Sequence, residues 1–501
     1  MNQSLTHEQD SPASSPSRDI ISFLKNGSML TITSLMVSAI GVIYRIYLAR
    51  YLGAGSFGLY AFITTFIAYF GIISMFGFRN VVVRQIAAER DRVREYARVG
   101  VEFRLASGTI ALILALVLIA FLHKTQGHQS LYILCAISLP LVGVSDILDA
   151  VLLGLESSEY SAISALISNM VKIGAGMWLL VNGYGLFAIF TLFIVVAALN
   201  LLLDWLFLRY RLHIRLIADK ASMPALRNYV MKEALPFWYM TLITKVYYKN
   251  DVIVLGLFKG DTVVGWYGGA YMAIDMLLLL AGAVGSAIFP IVSRIYSSDP
   301  EKAIRYFEAA CKHALLLCAP ACLFISVFGP RLIPIILGKS FVPGMDALPV
   351  LIWMVLFETI GFMAGTMLSA SGDQRRIVKV SFVVSIINVL TTIALVMRFS
   401  YMGAAWATTS TSVLNFFAVL WMVKRCLPTV RLWKSMAGVG ASALVMGIVM
   451  LIVGRFSQVL AAVCAFGAYA IMLAALNVVN ASDVSRLKQL LAGRRQSPRA
   501  A

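Results

Sequence analysis

Apolar runs of about 20 residues recur along almost the whole chain, separated by short polar breaks, the pattern of a polytopic bundle of membrane helices. Fourteen spanning helices are predicted, at roughly 28–49, 57–78, 101–122, 131–153, 160–181, 185–208, 236–258, 264–290, 308–328, 346–368, 377–397, 402–423, 435–454 and 457–477. The connections are short except at 79–100, 209–235 and 291–307, and those three carry charge. The first 19 residues are polar, rich in Ser and Pro, and lack the features of a cleaved secretory signal. The first apolar helix is therefore expected to be retained.

Composition strengthens this reading. Sixty per cent of the 501 residues are hydrophobic and 13% are charged. A soluble domain is nearer 45–50% and about 25%, so a soluble enzyme is excluded. Charge then fixes orientation, because short cytoplasmic loops accumulate Lys and Arg. With the N-terminus inside, the inside segments hold 30 of the 42 cations and the outside loops hold seven. Omitting or adding one mid-chain helix destroys that bias, so both termini are expected to be cytoplasmic. The net charge of +18 then reflects topology and attraction to membrane lipids, with no nucleic acid implied. Six cysteines lie mostly in apolar stretches, without disulfide or metal-ligand spacing, and are expected to pack.

The chain also resembles itself. Tyr51-Leu52-Gly53 and Gly58-Leu59-Tyr60 around the second helix match Val254-Leu255-Gly256 and Gly265-Trp266-Tyr267 around the eighth. A basic loop follows each. Asn182-Gly183-Tyr184-Gly185 joins helices five and six, and Tyr401-Met402-Gly403 joins eleven and twelve, each pair ending in a basic cap. A six-helix repeat keeps its orientation, and a site near mid-membrane between two such halves is typical of alternating-access transporters. The expected division is a polar tail (1–27), an N-lobe of helices one to six (28–208), a basic linker (209–235), a C-lobe of helices seven to twelve (236–425), an appended helix pair (426–480) and a basic tail (481–501).

Ionisable side chains at bilayer depth are costly and so mark function. Helix seven, opened by Pro236-Phe237-Trp238-Tyr239, carries Lys245, Lys249 and Asp251. The two lysines are four apart and share one face, an arrangement suited to a wet cavity that receives an anion. The alternative is a salt-bridge network with Asp251 and other acids. Tyr247 and Tyr248 border the lysines, either to stack on sugar rings or to line the interface between lobes. Lys172 beside Asn169 and Arg45 in helix one are further cavity candidates, whereas Arg79 and Arg84 are expected on a solvated or lipid-contacting face. Asp146, Asp149, Asp204, Asp275 and Glu358 could pair a cation or bind a coupling H+ or Na+. No nucleotide loop or metal-ligand cluster is present, so no enzymatic activity, metal or resident cofactor is expected. Transport would draw on an ion gradient, the membrane potential or the substrate gradient.

The run Arg45-Ile46-Tyr47-Leu48-Ala49-Arg50-Tyr51-Leu52-Gly53, continuing to Gly58-Leu59-Tyr60, resembles the first-helix signature of polysaccharide-repeat flippases, the Wzx-type and polysaccharide transporter members of the MOP superfamily. Phe76-Gly77-Phe78 with Val83-Arg84, Asp251 to Gly256 with Val264-Gly265-Trp266-Tyr267, Pro290 with Ser293, Leu337-Gly338 with Phe341, and Tyr401 to Ala407 are similar to later family motifs. The resemblance covers about residues 20–425. It implies an all-helical, V-shaped, MATE-like bundle in the bacterial inner membrane that moves undecaprenyl-pyrophosphate-linked oligosaccharide between leaflets. Lys245, Lys249, Lys172, Arg45 and Tyr248 would bind substrate, and Asp251, Asp275, Glu358 and Asp146 would couple or pair charge. Membrane lipids and a polysaccharide polymerase are the partners considered. Fourteen helices resemble exopolysaccharide and capsule exporters or lipid II flippases more than many O-antigen flippases. A MATE-like drug antiporter and a non-transporting scaffold are the remaining alternatives.

Overall fold

The structure, a computed structural model, describes residues 16–122, 125–214, 223–296, 298–372, 374–427, 429–430, 432–455 and 457–478. Side chains of 16–35, 223, 240, 244–246, 280, 283–291, 374–375 and 432–435 lie outside that description. The described chain is helical from end to end, in the order α1 (Pro16–Met75), α2 (Phe78–Ala88), α3 (Val93–Phe121), α4 (Gln129–Gly154), α5 (Ser158–Val181), α6 (Leu186–Leu206), α7 (Met223–Lys259), α8 (Asp261–Tyr296), α9 (Pro300–Leu337), α10 (Leu348–Leu351), α11 (Trp353–Ala370), α12 (Gln374–Cys426), α13 (Leu432–Val453) and α14 (Gln458–Ala475). Eleven segments among the described residues are long and apolar enough to cross a membrane.

Two expected loops are absent as loops. α1 continues through 50–56 with one non-helical residue, Gly53, at φ 68°, a conformation glycine adopts without steric penalty. α12 likewise continues past 398–401 with a single kink at Ser400. Their apolar segments, Met36–Met75 and Arg376–Cys426, span 40 and 51 residues, far longer than the ~20 residues a bilayer needs. Each is therefore a bent pair of arms.

Two of the charged connections are also more ordered than their composition suggests. Within 79–100, α2 buries Phe78, Val81, Val82 and Ile86 on one face, the stripe of an amphipathic helix. Helix seven does not open at Pro236. It begins at Met223 and continues through that proline, so 223–235 of the expected basic linker is a helical extension of α7. Leu226, Val230 and Ala234 of this extension share a core with Phe78, Val82 and Tyr96. Polar contacts reinforce the packing: Arg84 pairs with Glu233 at 2.5 Å, Arg227 with Glu102, and Gln85 donates to the Tyr229 hydroxyl at 2.7 Å.

Candidate functional site

The second arm of α1 lies along α7 and α8, and two close contacts bound the space between them. At one end the repeated glycine triplets meet. A Cβ on Gly58 would stand 1.7 Å from the Asp261 carbonyl oxygen, and one on Gly265 would stand 1.8 Å from that of Ala54. No side chain fits at either position. At the other end the Trp238 indole donates to the Ile72 carbonyl at 3.0 Å and stacks on Phe76 at 5.1 Å. Gly77, at φ 72°, leaves no room for a Cβ beside the Ala234 carbonyl, 2.4 Å away.

Between these contacts is a cavity of about 280 Å³, lined by α1, α7 and α8. Arg45 and Lys249 are its cations and Asp275 its acid, a net charge of +1. Arg45 reaches Asp275 at 2.7 Å, joining α1 to α8. Lys249 sits over the Tyr271 ring at 4.9 Å and makes no direct ion pair among the described residues; its nearest acidic influence is the buried Asp251, two residues on. Tyr60 and Tyr267, the tyrosines of the two repeated triplets, both line the cavity. Tyr69 lines it as well, and its buried hydroxyl has no hydrogen-bond partner. Two cations, Arg45 and Lys249, thus line this space beside one lining acid, Asp275. Charge-assisted hydrogen bonds of this kind hold phosphate oxygens, strengthened by the low dielectric around them.

A second pocket of about 530 Å³ lies among α4, α5 and α6, with Arg79 at its edge. Here two arginines close on two aspartates. Arg79 bonds Asp146 at 2.8 Å and Asp149 at 2.6 Å. Arg104, only 2% exposed, also pairs with Asp146 and donates to the carbonyls of Ser74 and Gly143, at 2.5 and 3.1 Å. Arg79 is thus part of an internal network, not the solvated or lipid-contacting face expected of it. Lys172 lines this pocket and faces the Tyr44 ring at 5.9 Å. Nearby, Asp204 is fully buried. One of its carboxylate oxygens accepts from Ser145 and Asn200, and the other has no hydrogen-bond partner.

The remaining candidates lie in a third group. Glu358 is 5% exposed and accepts hydrogen bonds from the Tyr247 and Tyr248 hydroxyls, at 2.7 and 2.8 Å. These residues line a pocket of about 550 Å³ with α11 and α12. Asp251 is buried and accepts from the Tyr267 hydroxyl at 2.5 Å. The structure therefore unites Arg45, Lys249 and Asp275. It places Lys172 and Asp146 in a separate pocket, and Tyr248 and Glu358 in another. The side chain of Lys245 lies outside the described residues. Sequence reasoning gave no role to Tyr69, Tyr271 or Arg104. Arg104 carried a usable signal, as a charge inside an apolar run, whereas the tyrosines carried none.

These features define an all-helical, multi-pass membrane protein with a cationic cavity enclosed by α1, α7 and α8. Residues 23–296 match the family model described as polysaccharide biosynthesis protein, and the chain belongs to that family. Residues 236–393 also match the MatE model. Among curated proteins, the chain is 22% identical over 376 residues to a probable low-salt glycan biosynthesis flippase of Haloferax volcanii, covering 74% of this chain and 76% of that protein. Among solved structures it resembles a lipid II flippase in an inward closed conformation, with a TM-score of 0.71 and 15% identity, covering 88% of this chain and 97% of that one. It also resembles an inward-facing multidrug resistance MATE family transporter of the MOP superfamily, with a TM-score of 0.60 and 13% identity over 80% of this chain and 100% of that one. Both likenesses concern the fold.

Proposed function

We propose that this protein is a flippase carrying undecaprenyl-pyrophosphate-linked oligosaccharide repeat units across the bacterial inner membrane by alternating access, for surface or exopolysaccharide synthesis. The observation that carries this reading is the excess of positive charge on Arg45 and Lys249 in a cavity shared by α1, α7 and α8. A diphosphate has oxygens enough to meet both cations at once. The lipid tail stays in the bilayer. Because the cavity is smaller than the ~300–1,000 Å³ of a typical small-molecule site, the halves must part to admit sugars. In this scheme the diphosphate competes with Asp275 for Arg45, and loss of that inter-helix pair frees α1 from α8.

On this reading, counting each arm of α1 and α12 and adding α7 gives fourteen crossings. Two six-helix lobes, an appended helix pair and cytoplasmic termini follow. Asp251, Glu358 and Asp146 are the acids assigned to coupling or charge pairing, with H+ or Na+ as the ion. The protein acts as a transporter and not a catalyst, and a polysaccharide polymerase is a candidate recipient of the product. Lipid II carries the same diphosphate, and the fold likeness supports it as an alternative cargo. A cationic drug is disfavoured by the charge of the cavity.

The test is delivery of radiolabelled lipid-linked glycan across the inner membrane in cells lacking the protein. Wild type restores delivery. Arg45→Ala with Lys249→Ala lowers it by at least about a hundredfold, the equivalent of two lost charge-assisted contacts. Undiminished delivery by the double variant overturns the site. Unchanged lipid-linked glycan with altered drug tolerance in the deletion strain overturns the substrate.

A further inference from the structure

The two ends of α12 meet at a basic cleft remote from the cavity. The kink at Ser400 folds the helix, bringing Arg376 of the first arm within 3.3 Å of the Cys426 sulfur of the second. The cleft encloses about 370 Å³ and is lined by Arg376, Lys379, Trp421 and Arg425, with Val380, Met422 and Cys426. No carboxylate lines it. Arg425 lies over the Trp421 ring at 5.4 Å, and Trp421 is 62% exposed.

What continues from the cleft along each arm identifies its occupant. From Lys379, the face of the first arm runs through Val383, Ile386 and Leu390, at helical spacings of four, three and four. From Arg425, the second arm runs through Trp421, Phe417 and Leu414, at spacings of four, four and three. All six of these apolar residues are exposed. Each arm therefore has cations at its end and an uncovered apolar stripe leading into its apolar length. A free phosphate has no use for the stripes, and an apolar chain alone has no use for the cations.

We propose that the ends of α12 form a binding site for the phosphodiester headgroup of an anionic membrane lipid. Lys379 and Arg425 hold the phosphate, the Trp421 indole sits at the interface where amphipathic rings concentrate, and the acyl chains lie along the two stripes. Basic pockets between membrane helices recognise anionic lipid headgroups in this way. The site is independent of the cargo assigned to the cavity.

Native mass spectrometry of the full chain in detergent tests it, with phosphatidylglycerol, phosphatidylcholine of the same acyl chains and free glycerol phosphate as probes. The wild type retains phosphatidylglycerol more strongly than phosphatidylcholine. Lys379→Gln with Arg425→Gln weakens phosphatidylglycerol retention by about thirtyfold, the size expected for two interfacial cations. Lys379→Arg retains it. Brominated phosphatidylglycerol quenches wild-type fluorescence, and the Trp421→Phe variant lacks that component, a readout that needs no charge change. Equal retention of the two lipids by wild type, undiminished retention by the double variant, or equal competition by glycerol phosphate overturns the proposal.

Discussion

Two clusters of intramembrane charge lie in the same bundle and differ in one respect. Around α4, two arginines, Arg79 and Arg104, meet two aspartates, Asp146 and Asp149, and three ion pairs join them. Around the cavity, Arg45 pairs with Asp275, and Lys249 rests on an aromatic face without a direct ion pair. The first cluster satisfies itself and needs nothing from outside. The second leaves Lys249 without a direct ion pair, near the buried Asp251. Counting charges inside a membrane is therefore less informative than finding which of them lack a partner.

Breaking the closed cluster has the largest expected effect. Arg104→Ala leaves Asp146 short of one partner and removes the guanidinium donor from the Gly143 and Ser74 carbonyls, of which Ser74's keeps the Ser107 hydroxyl. Removing one partner of a buried pair costs about 3–5 kcal/mol, so the variant should show a sharp drop in thermal unfolding midpoint in detergent and in yield. Retained stability would mean that the network is dispensable.

How much of this contrast was legible in the sequence depends on distance along the chain. That Arg45, Lys249 and Asp275 were unusual was visible from their apolar surroundings. That Arg45 faces Asp275 was not, because 230 residues separate them. The same limit hid the Arg79 network, in which Arg79 stands 67 residues from Asp146. Element boundaries failed for local reasons. Pro236 was read as a helix start, since proline is favoured in a first turn. The preceding turns extend the helix because Leu226, Val230 and Ala234 have a core to enter, which is a tertiary fact. At Gly53 the run of polar and small residues suggested a loop, yet a single positive φ turns the chain while helix continues on both sides.

A second perturbation acts on the closure of the cavity. Gly265→Ala places a methyl group against the Ala54 carbonyl, where neither backbone can yield. Overpacking of this kind costs about 1–3 kcal/mol, so a lower unfolding midpoint is expected. A cysteine at Thr64, which lines the cavity, should also react faster with a water-soluble maleimide in this variant than in its absence. Unchanged labelling would show that the glycine contact does not control access.

The smallest effect sharpens the comparison most. Lys249→Ala removes a cation that makes no direct ion pair with a described carboxylate, so the folded state loses no salt bridge. Its unfolding midpoint should match or slightly exceed that of the wild type, within the ±0.5 kcal/mol of a neutral substitution. Destabilisation as large as that of Arg104→Ala would place Lys249 among the structural charges.

The glycine contact between Gly58 and Gly265 has a further consequence, in conformational entropy. Bringing a glycine against a carbonyl freezes no rotamer, because neither partner has a side-chain torsion to lose. The opposite end is closed by Trp238 and, just beyond it, by the Arg84–Glu233 and Arg227–Glu102 pairs. Each long charged side chain ordered there costs up to about 1.5–2 kcal/mol. In the proposed alternating-access cycle, one end of the cavity would re-form without side-chain ordering, while the other would order several long side chains at each closure. Warming therefore biases the two ends differently, loosening the side-chain-rich end first.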